Sequence, residues 1–337
     1  MACKTDVVVV GGGPGGAAAA IQCASAGLEV ILIESQAFPR HRPGETLHPG
    51  IEPLLKQLGV LEKIENAGFL RHEGNWIEWN GDLHFEPFGA DEHGPWRGYQ
   101  VWRAEFDAFL LNRAREVGVK VMQPCAAKQP LLDADRVQGM QTTNGDVASS
   151  FVIDAGGKSH WLARKLKLTI QKRSPPLFAR FGYVRGECPG RDEAPAIVAD
   201  DNGWTWTARV GPNLYGWTRL ALDRERQLIS VVPSEFRKLE SCGTTQTTDV
   251  TWRQVAVPAG PGYFLVGDAA AVLDPASSHG VLKALTSGIM AAHSILRIVD
   301  GEVESLVTSA YSQWIVDWFE HDVSKLTQLY SIFDNDH

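Results

Sequence analysis

Residues 6–16 read Asp-Val-Val-Val-Val-Gly-Gly-Gly-Pro-Gly-Gly, and no other stretch limits the fold of this chain so tightly. A continuous β-branched run is the pattern of a strand buried on both faces of a parallel sheet. The Ala-rich segment from Pro14 to Ala26 reads as a helix closed by Gly27, and Val30 to Ile33 as a second buried strand ending at Glu34. This is one βαβ unit. In its glycine turn, Gly11 to Gly16 with Gly15 among them, Gly11 permits the tight bend, Gly13 lets the backbone approach a pyrophosphate, and Gly16 lets helix and strand pack closely. The pyrophosphate then meets the unpaired amides and positive dipole end of the helix. Glu34 follows Gly16 by 18 residues, the separation at which a carboxylate reaches ribose hydroxyls. Strand before, helix after and acid beyond together indicate dinucleotide binding.

A second strand-and-turn lies near the C-terminal end. Gly262 to Val266 is an apolar strand that stops at Gly267-Asp268, passes through Asp274-Pro275 to Ser277-Ser278-His279-Gly280, and enters a helix from about Val281 to Val299. A carboxylate at the strand end, Asp268, suits the hydroxyl of a polyol, and the helix start at Gly280 and Val281 suits an anionic ring system.

With these residues in place, the chain resembles the flavoprotein superfamily of aromatic hydroxylases, geranylgeranyl reductases and flavin-dependent halogenases. The resemblance implies FAD, with Asp268 on the flavin ribityl chain and the N-terminus of the later helix at the flavin N1 and C2 carbonyl. Two more segments agree. Arg103-Ala104-Glu105-Phe106-Asp107 resembles the family's Arg-x-x-Phe-Asp helix, whose arginine contacts the cofactor. Phe151 to Gly157 resembles its Asp-Ala-Ser-Gly strand end. The implied fold is α/β: a Rossmann-like, GR2-type FAD-binding domain built from 1–75, 100–170 and 255–300, with an interleaved antiparallel-sheet substrate domain from 76–99 and 171–254, and a C-terminal helical segment, 301–337.

Pro39 to Pro49, with Gly44-Glu45-Thr46, is similar to the Gly-Glu-Ser-x-x-Pro segment of the halogenase-like branch. Two departures stand out. The Gly-Trp-x-Trp-x-Ile-Pro element of halogenases becomes Gly203-Trp204-Thr205-Trp206-Thr207-Ala208-Arg209, and residues 64–80 contain no lysine. The first expectation is therefore an FAD-dependent monooxygenase that hydroxylates an aromatic substrate through a flavin C4a-hydroperoxide. Halogenation is the alternative, and a non-catalytic flavin-binding or redox-sensing protein is a third reading. The same branch includes flavoproteins that modify tryptophan in a partner enzyme during quinone-cofactor maturation, so the substrate is expected to be a small aromatic molecule or a protein-bound, tryptophan-derived ring. No second glycine turn follows a strand, which leaves NAD(P)H docking transiently or a separate flavin reductase as the electron source.

His48 and His279 sit in the two segments expected to border the flavin ring, where each suits either an acid–base role or the capping of loop backbone. Glu45 suits either the cofactor or an ion pair with Arg42 or Arg40, and both arginines are also candidates for cofactor contact. Eleven tryptophans suit a pocket or a sheet face, and the helical spacing of Tyr311, Trp314, Ile315, Trp318 and Phe319 suits a covering helix. A net charge of −8 argues against a nucleic-acid partner, and five scattered cysteines without a CxxC pair indicate neither a disulfide framework nor a metal site. No membrane span and no secretory leader are read, so the cytoplasm is the expected compartment.

Overall fold

The computed structural model describes residues 3–79, 81–222 and 232–333. The valine run forms strand β1 (Cys3–Val10), followed by helix α1 (Pro14–Ser25) and strand β2 (Val30–Ile33). β1 and β2 run parallel in the register Val7 to Val30 through Val10 to Ile33. Val7, Val8 and Val9 are fully buried, flanked by strands on both sides and packed against α1. Helix α2 (Arg103–Glu116) packs on α1, and strand β3 (Gly145–Asp154) joins β1 in parallel on the side opposite β2. Strand β4 (Tyr263–Leu265) extends the sheet from β3, so Asp154, Val10 and Ile33 end at one edge with Gly267-Asp268 just beyond. Crevices at the carboxyl ends of parallel strands are where such sheets bind ligands.

A second, seven-stranded sheet is almost wholly antiparallel. Its order runs 240–249, 178–185, 214–221, 203–211, 196–200, 74–78 and 84–87, with one parallel pair between 196–200 and 74–78. Tryptophan fills much of its interior: Trp204 and Trp217 are buried, and Trp206 and Trp79 are half-buried.

Helix α3 (Gly280–Val299) lies against α1, and helix α4 (Glu304–Tyr330) crosses from α3 to the antiparallel sheet. By length and apolarity α3 is sufficient to cross a bilayer, which corrects the expectation that no segment is. Here it is a core helix, with Leu285, Ala291, Ala292 and Ile295 fully buried. The α1–α3 approach is set by glycine: a Cβ on Gly288 would lie 2.2 Å from the Gly15 carbonyl oxygen. Phe319, Val323 and Leu326 carry the far half of α4 onto Trp204, Leu220 and Trp252.

Candidate functional site: a nucleotide groove between two helix N-termini

The groove begins at the glycine turn. Gly11 has φ +102°, and a Cβ there would stand 2.5 Å from the Ala155 carbonyl oxygen; one on Gly16 would stand 1.9 Å from Gly11 O. Both glycines serve the close passage of main chain past main chain. Gly13 caps α1 without a side-chain hydrogen bond, leaving first-turn amides to a ligand. Glu34 is buried at the end of β2 and accepts from the Gly12 and Gln36 amides, each at 2.8 Å. The carboxylate assigned to ribose therefore also shapes the turn itself.

Arg40, beside the turn, and Arg103, which donates to Pro43 O, share one acid. Asp107, wholly buried, accepts from Arg40 Nη1 at 3.2 Å and from Arg103 Nε at 2.9 Å. Arg40 Nε also lies 3.8 Å from Glu34 Oε2, so the two guanidiniums are matched by two carboxylates. Arg40 Nη2 lies 3.4 Å from where a Gly13 Cβ would stand, and Arg40 Nε is buried without a hydrogen bond. A guanidinium with a donor free of hydrogen bonds beside helix amides fits a pyrophosphate. Arg42 is not brought to this centre: its guanidinium is at the surface on Gln36 Oε1, 2.9 Å away. Glu45 does not form the expected ion pair with Arg40 or Arg42. It is buried, accepts from the Tyr183 hydroxyl and the Gly44 amide, and its pKa is raised by burial against the pull of Tyr183 and Arg103. The correction has a simple cause: the strand at 46–47 pairs with 98–100 and turns the Glu45 side chain inward, toward the antiparallel sheet.

Asp268 lies open to solvent on the groove floor, yet protein encloses it from below and the sides. That enclosure raises its pKa, opposed by Lys158, Arg103, Arg253 and Lys283. Its position is fixed from behind by His160, a residue that sequence reasoning passed over. His160 is fully buried at φ +47°; its Nδ1 donates to Ala269 O at 2.9 Å, and its Nε2 accepts from Arg253 Nε at 3.0 Å. Both ring nitrogens are thereby committed, and burial holds the imidazole neutral by lowering its pKa. The Asp-Ala-Gly-Gly strand end carried the only hint, since His160 is three residues past it. Asp274 is fixed the same way: its Oδ1 accepts from the Ala276 amide at 2.9 Å and its Oδ2 from Trp252 Nε1 at 2.5 Å, which orients the turn before α3.

At that turn the two histidines meet. The His48 and His279 rings lie 5.3 Å apart, and His48 also contacts Phe88 at 5.5 Å. His48 Nδ1 accepts from the Gly50 amide at 3.0 Å, the backbone-capping role, with Nε2 left for other partners. His279 makes no side-chain cap to α3, and burial, with His48 and Lys283 nearby, brings its pKa down to about 4. A Cβ on Gly280 would meet nothing within 4 Å, so the helix start offers open space to a ring, with Val281 half-buried beside it. The residues present fit FAD: amides and Arg40 for the pyrophosphate, Asp268 for the ribityl hydroxyls, and the α3 N-terminus for an anionic ring edge. Among the described residues no cluster of metal-ligating side chains occurs.

Comparison with known proteins agrees with this geometry. The family described as "FAD binding domain" matches residues 4–188. A tryptophan 2-halogenase of Chondromyces crocatus is 29% identical over 92% of this chain and 64% of its own length. A 1H-pyrrole-2-carbonyl-[peptidyl-carrier protein] brominase of Pseudoalteromonas luteoviolacea is 28% identical over 92% of this chain and 81% of its own. Among solved structures, the flavin-dependent halogenase CmlS superposes with a TM-score of 0.87 at 26% identity, over 99% of this chain and 66% of that one. The chain thus belongs to the FAD-binding family, within the aromatic hydroxylase and halogenase-like superfamily of flavin-dependent oxidoreductases. It spans less than two thirds of the length of the tryptophan 2-halogenase.

Proposed function

We propose that this chain is a flavin-dependent halogenase that substitutes an electron-rich aromatic ring, taking reduced FAD from a separate flavin reductase. The observation that carries this reading is likeness to a tryptophan 2-halogenase and a brominase along 92% of the chain, which spans the antiparallel sheet and α4 as well as the cofactor motifs. When bound, reduced FAD supplies the electrons that activate oxygen. The chain's own residues hold the cofactor through Arg40, Arg103 and Asp268, and wall the reacting space with Trp318, Phe319 and Leu273. Water is displaced by those apolar walls. His48 and His279 are the groups placed to hold or move a proton at an imidazole nitrogen.

Direct hydroxylation, of a free or protein-bound indole among other rings, is the second reading. It is favoured by two specific observations, the absence of lysine from residues 64–80 and the missing Ile-Pro after Thr207. A single experiment separates them: the purified protein with FAD, a flavin reductase, NADH, oxygen and a panel of indoles and phenols, with and without bromide. Brominated product supports the first reading. Hydroxylated product at a rate indifferent to bromide overturns it in favour of the second. In either case His279, neutral above about pH 4, contributes no titration near 6.5 to the rate profile, and His279→Ala lowers turnover with FAD content preserved if it handles the proton.

A further inference from the structure

The last turn of α4 is tied down by indoles. Trp79 Nε1 donates to Leu329 O at 2.8 Å, and Trp204 Nε1 donates to the Tyr330 hydroxyl at 2.6 Å. A third indole lies beside them: the Trp252 ring is 5.6 Å from that of Tyr330, and its Nε1 donates to Asp274 Oδ2 at 2.5 Å. Asp274 is wholly buried, and its other oxygen accepts from the Ala276 amide, the bond that shapes the turn before α3. Leu273 and Ala276 of that turn pack in the same apolar cluster as Leu326 and Tyr330. Because the Tyr330 oxygen receives its bond from Trp204, the hydroxyl still has its own hydrogen to give. Asp274 stands beside it: the phenol draws the carboxyl pKa down against burial, and the carboxylate pushes that of the phenol up. Indole, phenol and carboxylate thus run in one direction, from Trp204 through Tyr330 to Asp274, and in such a chain each bond polarises the next.

We infer that Tyr330 is a positioning residue of the flavin site: from the end of α4 it holds, through Asp274, the 275–279 turn that aims the start of α3. The inference rests on the flavoenzyme reading above and deepens it. Anchoring the helix end does not require this hydrogen, since the Trp79 bond and the packing of Phe319, Val323 and Leu326 already supply it. What the hydroxyl adds is a donor to a buried carboxylate, which is costly to leave short of partners. Ser278, at φ +55°, and His279, the residue that precedes α3, follow directly on the turn, so loosening Asp274 moves both the imidazole and the helix amides. Those amides favour a flavin ring that carries negative charge, so a loosened turn weakens the hold on reduced FAD more than on oxidised FAD.

The test compares Tyr330→Phe with Trp204→Phe at neutral pH, above the Asp274 value of about 6, where the carboxylate is ionised and the hydroxyl must be the donor. Trp204→Phe removes the bond that Tyr330 receives and keeps the one it gives. Amide hydrogen exchange of residues 275–281, followed by mass spectrometry, should speed up about tenfold or more in Tyr330→Phe, the range for losing a hydrogen bond to a charged group, and stay within about twofold of wild type in Trp204→Phe. The Kd of Tyr330→Phe should rise for both forms of FAD, by about two- to fivefold more for the reduced one. Asp274→Asn, the second variant should Tyr330→Phe not fold, is expected to release the same segment, and adding Tyr330→Phe to it should release it no further. Wild-type exchange in Tyr330→Phe, equal acceleration in the two phenylalanine variants, additive effects with Asp274→Asn, or equal loss of the two forms of FAD would overturn the inference. A wild-type protein that takes up no FAD, with exchange of the turn still governed by Tyr330, would remove the flavoenzyme reading and leave the hold on the turn standing.

Discussion

The two sheets combine backbone and side-chain contacts in different ways. In the parallel sheet the decisive contacts are backbone on backbone: Gly11 against Ala155, Gly16 against Gly11, Gly288 against Gly15, all closer than a Cβ allows. The antiparallel sheet has such contacts too, Gly203 against Leu220 and Gly74 against Glu86, but its ties to α4, like the tie of Trp252 to the turn before α3, are side chain on side chain. Trp204 Nε1 donates to the Tyr330 hydroxyl at 2.6 Å, Trp252 Nε1 to Asp274, and a Cβ on Gly216 would meet only the edge of Tyr183 at 3.3 Å and Val210 at 3.4 Å. Main chain cannot yield without moving whole strands, whereas aromatic rings can shift by fractions of an ångström. Glycines packed against main chain should therefore be intolerant in either sheet, and those that meet only side chains plastic.

Paired glycine substitutions test that contrast most strongly. Gly16→Val should lower stability by roughly 3 kcal/mol or more and prevent FAD uptake, while Gly216→Ala should change stability by less than about 1.5 kcal/mol, both read from denaturant unfolding. Equal damage from the two would break the comparison. Next in size is Asp268→Ala, which should weaken FAD binding about tenfold to a hundredfold with the unfolding midpoint scarcely altered. Trp204→Phe should do the reverse, lowering stability by about 1 kcal/mol through the lost Tyr330 bond while FAD affinity, measured by flavin fluorescence, stays put. A loss of affinity there would show that the halves are not separable.

The smallest effect concerns pH. Asp154 in the parallel sheet and Asp274 at the antiparallel side are each raised to about 6 by burial, although both accept hydrogen bonds. A carboxyl with a raised folded-state pKa binds its proton more tightly when folded. Its stabilising contribution is complete below the unfolded value near 4 and is lost as pH rises through about 6. Asp154→Asn and Asp274→Asn should each flatten the stability profile between pH 4 and 6 relative to wild type. An unchanged slope in either variant would mean that its carboxyl does not titrate there.

The same contrast explains what the sequence makes legible. Backbone approach demands glycine at fixed spacing, so β1, α1, β2 and the Asp268 turn are readable, and the start of α3 falls one residue from its expected place at Val281. The β-branched run and the Ala-rich helix also carry their own periodicity. Side-chain pairing leaves no such trace. Nothing near Glu45 points to Tyr183, 138 residues away, and nothing near Asp274 points to Trp252; each partner is an ordinary residue until the sheet folds. Lys283 is hidden for another reason. In sequence it is a single cation on an apolar helix, and only the arrival of α4 reveals that it faces Asp322.

The seam between α1 and α3 also orders events in time. Gly15 and Gly288 touch in the finished protein but are synthesised 273 residues apart, the difference between 288 and 15. At the usual pace of translation, the nucleotide turn waits roughly 14–55 s for the helix that completes its far wall. Until then the Ala-rich face of α1 has no cover. A ribosome that stalls before α3 emerges leaves a chain that holds half a cradle and exposes it to proteases, so cofactor capture marks a nascent chain that has been read past α3.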